Sequence, residues 1–386
     1  MTALGWILLS IPVGLLLYAF IGYPAIMWLV ATLRDHRLPQ GEPAEWPEVT
    51  ITLPVFNEER VISRTIESLL AIDYPRERLR ILVVSDASTD RTDEIVRRYH
   101  DQGVRLLRMA ARSGKTAAEN AASAEVRDPI IVNTDASTRI LPGSLKALIR
   151  VFQDPEVGLA SGRDVSVGDS TAGANYAESG YVGYEMWVRS LESRAGSIVG
   201  ASGCLFALRR GLYEVLFPSA LSRDFAAAMI AVKGGYRAVS VDDAICLVPR
   251  SLSLRSEYRR KVRTMARGLE TLWYNRDLLS PKRPLFAFAL LSHKLIRWAV
   301  FLLAPLVPIG LLLLATRLVW ARWLLAGVFL SLLIAGAAFV GPEGRRLPRP
   351  VAAVAFAIVS LAAGLIAWTK ALQGELNPTW EPTRRG

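Results

Sequence analysis

Two residue types that build metal cages and disulfide frameworks are nearly absent. The 386 residues contain two cysteines, Cys204 and Cys246, and three histidines. Two distant thiols exclude a disulfide scaffold and fit a reducing compartment. Three scattered histidines are too few for a zinc centre. No internal repeat and no low-complexity tract is present. Charge is missing from whole stretches. Met1 to Leu33 carries no charged side chain, and neither do Trp298 to Thr316, Trp323 to Pro342 and Pro350 to Thr369. The lack of an acid in these runs, and of an inverted repeat, argues against a transporter.

What is present is hydrophobic and basic. Hydrophobic residues make up 52%, concentrated at the two ends, and the net charge is +11. A basic balance suits nucleic acid, an anionic membrane face or an anionic substrate. The apolar runs favour the last two, and no nucleic-acid partner is expected. Each run reaches the ~20 residues a bilayer core requires, and tryptophans sit at the edges, as at membrane interfaces. The first run lacks a basic n-region and is too long for a cleaved signal. It reads as an anchor over residues 1–33, with kinks at Pro12 and Pro24. Arg34, His36 and Arg37 follow and place the next segment in the cytoplasm.

The expected organisation is a linker over 34–48, a cytoplasmic α/β domain over 49–252, and amphipathic interfacial helices over 253–297. About three spans over 298–370 and a polar tail over 371–386 complete it. The basic loop Arg345, Arg346 and Arg349 is placed inside, and Trp380 to Gly386 outside; the Arg384-Arg385 pair argues against the latter. Together these make a multi-pass protein of the cell (inner) membrane.

In the middle of the chain, strands and helices alternate. Val49 to Phe56, Leu79 to Ser85, Val104 to Met109 and Pro129 to Thr134 read as strands. Helices are expected after Glu59, over Thr89 to His100, Ser113 to Glu125 and Pro142 to Phe152. This spacing predicts a mixed, mostly parallel, Rossmann-like sheet covered on both faces. Further on, Ala177, Tyr181, Tyr184, Val188 and Leu191 recur at helical spacing over 174–194, with Trp187 beside them. Packing on the sheet and lining of an acceptor groove both suit that helix. Residues 254–273 set Leu254, Tyr258, Val262 and Leu269 against a basic face, the pattern of a membrane-surface helix.

In an open α/β sheet, ligands bind beyond the carboxyl ends of the strands. Asp86 stands at one such end, where it would accept hydrogen bonds from a base or ribose, and Asp135 with Ser137 at another. Asp135 and Ser137 would suit Mg²⁺ or Mn²⁺, which take oxygen ligands and bridge to phosphates. Lys115, after Ser113-Gly114 at a helix start, would steady a diphosphate. Asp224, at another helix start, has the placement of a general base. Each acid taken alone also reads as a helix cap.

The order of these residues carries a resemblance. Pro54-Val-Phe-Asn-Glu-Glu59, Ser85-Asp-Ala-Ser-Thr-Asp90, Arg112-Ser-Gly-Lys115, Asp135-Ala-Ser137 and Arg223-Asp224 are similar to motifs of the inverting family-2 glycosyltransferases. That group has a GT-A fold and includes cellulose, chitin, hyaluronan and poly-N-acetylglucosamine synthases. The likeness covers roughly residues 46–275, and the flanking spans match the membrane-bound branch.

The resemblance implies roles. Pro54, Phe56, Glu58, Asp86, Lys115 and Asp135 would bind a sugar-nucleotide donor, with Asp86 at the nucleoside, expected to be uridine. Asp135 and Ser137 would hold Mg²⁺ or Mn²⁺, Ser137 standing where the family usually has a second aspartate. Asp224 would be the catalytic base, preceded by Arg223 where the family often has an acid. Ser202, Gly203 and Cys204 match a loop near the acceptor, and Trp187 and Arg263 are further acceptor-side candidates. Processive synthases carry Gln-x-x-Arg-Trp; Arg260-Lys-Val-Arg-Thr264 keeps only the arginine, Arg263. The expected reaction transfers a sugar to a growing polysaccharide or a lipid-linked acceptor. A polyprenyl-phosphate or lipid glycosyltransferase adding one sugar, and a non-catalytic nucleotide-binding scaffold, are the rival readings.

Overall fold

The central strands are apolar almost from end to end because both faces of their sheet are covered. Every residue of β1 (Val49–Val55) is buried, and in β2 (Leu79–Ser85) only Arg80 reaches solvent. With β3 (Val104–Arg108) and β4 (Ile130–Thr134) they form the parallel half of one eight-stranded sheet. The computed structural model describes residues 2–167, 173–249, 253–342 and 347–375, with backbone only for 173–178. Arg345, Arg346 and the tail from residue 376 lie outside the described residues, so the expectations placed on them are not addressed.

β5 (Arg139–Ile140), β6 (Val157–Val167), β7 (Leu205–Arg209) and β8 (Arg237–Pro249) complete the sheet in the order β3-β2-β1-β4-β7-β6-β8-β5. β7 runs antiparallel to β4 and β6, while β8 is parallel to β6. The strand order reverses between β1 and β4, the switch point where α/β sheets open a crevice. Helices Ile62–Leu70 and Ser144–Arg150 cover one face over Ile51, Leu53 and Val83. Lys115–Glu125 and Arg223–Lys233 cover the other over Val84, Ile131 and Phe206.

Some helices begin later than their sequence pattern suggests, for local reasons. The helix expected from Ser113 starts at Lys115, because the amides of Ser113 and Gly114 turn back to Asp86. The helix expected from Thr89 is Thr92–Arg97, with Asp90 accepting the Thr92 amide at 3.0 Å.

Among the described residues, Thr2–Arg34, Pro284–Leu303, Val319–Val340 and Arg349–Gln373 are long and apolar enough to cross a membrane. Pro12 lies within regular helix; the departure is a wider π-helical turn at Tyr18–Gly22, just before Pro24. The widened turn takes up the clash that a proline ring makes with the carbonyl four residues back.

The first long C-terminal apolar helix begins before the uncharged run that marks it in the sequence. The helix runs Pro284–Leu303, not from Trp298, and a separate short helix, Leu306–Ala315, follows Pro305. Residues 285–297 are therefore continuous with the apolar helix that follows them. Its polar residues His293 and Arg297 are buried against Glu192 and Glu185 of the helix Gly173–Ala195. Buried charge is tolerated when it is paired. The basic helix Leu254–Tyr274 packs against the apolar helix Arg349–Gln373, with Lys261 bonded to Ser360 at 2.8 Å.

Candidate active site

Two strand-end loops interlock to shape one wall. Asn57 after β1 and Ala87 after β2 adopt φ of 54° and 57°, a region costly for residues with a β-carbon. The strain is held by reciprocal bonds: Ser88 Oγ accepts the Asn57 amide at 3.1 Å, and Asn57 Oδ1 accepts the Thr89 amide at 2.8 Å.

Asp86 is fully buried at the end of β2. Its two oxygens accept the amides of Ser113 at 2.7 Å and Gly114 at 2.9 Å. Gly114 takes a φ of 97°, which a side chain would resist. This turn launches Lys115 into the first helical position. Its Nζ donates to Asp135 Oδ1 at 2.6 Å and to the Gly203 carbonyl at 3.0 Å. Lys115 thus ties the end of β4 to the loop before β7.

That loop also carries Asp224's neighbour. A β-carbon on Gly203 would lie 2.5 Å from Asp224 Oδ2. Asp224 Oδ1 accepts from the Ser222 hydroxyl and, at 2.9 Å, from the Phe225 amide. Ser202 Oγ donates to Asp164 Oδ1 at 2.5 Å and accepts the Cys204 amide at 3.1 Å. Arg223, in place of an acid, is buried: it donates to Tyr213 O and Asn120 Oδ1 and stacks on the Tyr213 ring, 4.5 Å from its centroid.

A cavity of about 720 Å³ joins these groups. Pro54, Glu58, Lys115, Asp135, Ser137, Ser202, Gly203, Cys204, Asp224 and Arg263 all line it. Three expected residues are not in its lining. Asp86 sits behind it, bonded to the turn that carries Lys115. Phe56 is buried under the Arg112 guanidinium, 3.9 Å from its ring centroid. Trp187 is 48% exposed and tilts against Tyr184, with ring centroids 6.0 Å apart.

The electrostatics are tightly coupled. Burial works against the charge of Lys115, but Asp135, Glu119 and Asp224 together hold its ammonium above the ordinary range. Burial also tends to raise Asp224; Lys115, the Ser222 hydroxyl, the Phe225 amide and Arg267 outweigh it and keep the carboxyl below its usual value. Burial pushes Glu119 up to about 7 against the pull of Lys115 and Arg223. Glu119 Oε1 is buried without a hydrogen-bond partner. Sequence reading passed over Glu119, although a carboxylate one turn after the lysine was the available signal. Asp164 and the cations Arg189, Lys294 and Arg297 were also passed over. Asp164 lies within a strand, and no local pattern marks it.

The donor set suits a divalent cation only in part. Asp135 offers a partly exposed carboxylate with one oxygen engaged by Lys115, and Ser137 lies beside it in the cavity wall. No cluster of three or more His, Cys, Asp or Glu side chains forms a metal cage among the described residues. Oxygens of a bound diphosphate would have to complete the coordination.

A sequence profile described as glycosyl transferase family 2 matches residues 50–217. An N-acetylglucosaminyltransferase of Bradyrhizobium elkanii is 31% identical over 126 residues, 31% of this chain and 68% of that protein. The chain belongs to glycosyl transferase family 2. An N-acetylglucosaminyltransferase of Rhizobium meliloti is 27% identical over 289 residues, 69% of this chain and 67% of that protein. A mannosyltransferase from Pyrobaculum calidifontis, solved with GDP-Man and Mn²⁺, shares the fold with a TM-score of 0.74 and 24% identity, over 95% of this chain and 99% of that one. The family-2 domain here has the GT-A, Rossmann-like fold with a mixed, mostly parallel sheet, and it is a glycosyltransferase. The profile ends at residue 217, so Asp224 and Arg263 lie beyond it.

Proposed function

We propose that the protein is a membrane-integrated, inverting glycosyltransferase that moves a sugar from a nucleotide-sugar, a UDP-sugar first among them, to a hydroxyl of a lipid-linked acceptor or growing polysaccharide. One observation carries the reading. Asp224 stands in a single cavity between the Lys115–Asp135 pair at the sheet edge and walls built from the membrane helices. The name of the R. meliloti relative makes N-acetylglucosamine the first sugar to test.

In this reading the donor's diphosphate lies at the sheet switch point beside Lys115. Asp86 acts there by fixing the Ser113-Gly114 turn and with it the nucleoside edge. Asp135, with Ser137, would hold Mg²⁺ or Mn²⁺, which supplies charge neutralisation to the diphosphate leaving group when bound. Asp224 is held ionised by Lys115 and Arg267, so at neutral pH it can accept the acceptor's hydroxyl proton. The hydroxyl oxygen attacks the anomeric carbon, the bond to the diphosphate oxygen breaks on the opposite side, and the nucleoside diphosphate leaves. The proton ends on Asp224, and the anomeric centre is inverted. Ser202, anchored to Asp164, lines the acceptor side with Gly203, Cys204 and Arg263.

Arg34, His36 and Arg37 after the first apolar helix support a cytoplasmic orientation of the domain. A single addition and a polymer remain distinct products of the same chemistry; the basic chamber described below favours a lipid-linked acceptor. The test is incubation of membranes with labelled UDP- and GDP-sugars plus Mg²⁺ or Mn²⁺, followed by sizing of the product. A labelled lipid or polysaccharide is expected. No transfer from any donor, in membranes where the protein is present and folded, would overturn the reading.

A further inference from the structure

Part of the cavity wall is a cationic chamber beside the apolar helix Pro284–Leu303. Glu185 is shared there by three groups. Arg297 donates to its Oε1, His293 Nε2 lies 3.2 Å from Oε2, and Lys294 Nζ is 4.0 Å from Oε2. The Lys294 side chain makes no hydrogen bond among the described residues. Among the described residues Arg189 has no carboxylate partner: Nη2 donates to the Ala201 carbonyl at 3.2 Å, and Nη1 is buried with no partner. Arg297 is 3% exposed, and its Nε is likewise buried and unpartnered. Its guanidinium sits 4.7 Å from the Phe20 ring centroid and 5.5 Å from that of Tyr184.

The cations Arg189, Lys294 and Arg297, with His293, are set against the two carboxylates Glu185 and Glu192, and N–H groups of Arg189 and Arg297 stay buried without a partner, a costly arrangement in a low-dielectric setting. An anion with several acceptor oxygens would relieve it, and guanidinium and ammonium both suit phosphate. The wall next to these groups is apolar. Trp298, Phe301 and Phe356, from the spans Pro284–Leu303 and Arg349–Gln373, line the same cavity. A soluble anion has no use for that wall, whereas a hydrocarbon chain does.

We propose that this chamber holds the phosphate of the acceptor lipid. Arg189, Lys294 and Arg297 bind the headgroup phosphate, the chain lies along the spans, and a saccharide hydroxyl beyond the phosphate reaches Asp224. The assignment rests on the glycosyl-transfer reading for its direction, but the binding it predicts is measured without any transfer.

The experiment uses the full-length protein in detergent micelles. Binding of a long-chain polyisoprenyl phosphate is measured against the matching polyisoprenol, with inorganic phosphate as competitor. UDP binding is measured on the same samples. Lys294→Gln and Arg189→Gln are the variants, since neither side chain holds a short ion pair. The phosphorylated lipid should bind at least about tenfold tighter than the alcohol, and each variant should lose about tenfold of that affinity. UDP binding should be unchanged, and inorganic phosphate should not compete. Equal binding of the alcohol, or full affinity in both variants, overturns the proposal. Competition by inorganic phosphate would make this a soluble-anion site, and loss of UDP binding in the variants would move it to the donor; either result also overturns it. Failure of the unaltered protein to bind any nucleotide would instead sink the transferase reading, leaving the lipid result standing by itself.

Discussion

Gly203 and Asp224 are packed so closely that a β-carbon at residue 203 would come within 2.5 Å of the Asp224 carboxylate oxygen. The loop before β7 and the first turn of the helix Arg223–Lys233 are therefore set by each other. Gly203 also supplies the carbonyl that receives Lys115 at 3.0 Å. One glycine thus sits between Lys115 and Asp224, the candidate base.

Gly203→Ala should displace the Asp224 carboxylate while leaving Asp86 and its turn intact. A shift of this kind is expected to lower kcat on the order of a hundredfold. Donor affinity should change far less. Steady-state kinetics with a labelled donor, set beside nucleotide binding by calorimetry, measures the split.

Lys115→Gln removes the largest of the attractions that hold Asp224 below its ordinary carboxylate value. The pKa of Asp224 should then rise. The acidic limb of the kcat/KM profile, where the base becomes protonated, should move to higher pH. A limb that does not move would mean that Lys115 and Asp224 do not share a field in the working enzyme.

Glu119 gives a stability prediction with a definite sign. Its folded-state pKa is about 7, against 4.5 for the ordinary carboxyl. Between those values the folded state holds the proton that the unfolded state has released, so stability falls as pH rises through that window. The full excursion amounts to about 3 kcal/mol. Glu119→Gln abolishes the titration. The variant should gain on the parent protein as pH is raised from about 5 to about 8, read as a difference in Tm at each pH. A pH-independent difference would contradict the buried, unpartnered state of this side chain.

Asp135→Asn tests the cation side. It removes the carboxylate that Lys115 meets at 2.6 Å and the one acid this motif offers a metal. Any stimulation by Mg²⁺ or Mn²⁺ should require roughly tenfold or more additional metal. The measurement is a metal titration of donor binding, which reads the site without depending on turnover.

The parallel half of the sheet was legible because burial on both faces leaves a plain mark. Leu79 to Ser85 and the helix over residues 254–274 were placed to within a residue. Ser202 to Arg210 reads as a tight turn feeding a strand, and β7 forms there, whereas β6 carries no comparable periodic signal. The start of the helix Pro284–Leu303 was not legible because His293, Lys294 and Arg297 break its hydropathy. What pays for those charges is Glu185 and Glu192, about a hundred positions earlier, a pairing no local window contains. Lys115, Asp135 and Asp224 were found by motif order, and the fold brings them to one cavity. Glu119 belongs to no motif; its spacing one turn after Lys115 was the sequence signal, and its burial marks it in the structure.

Asp224→Asn tests the central claim most directly. It keeps the shape of the side chain and removes its ability to take a proton. With a labelled donor and membrane-embedded protein, transfer should fall by roughly a hundred- to ten-thousand-fold, the usual contribution of a general base. Nucleoside diphosphate binding should stay close to that of the parent. Full transfer activity in this variant would remove Asp224 from the role and contradict the account.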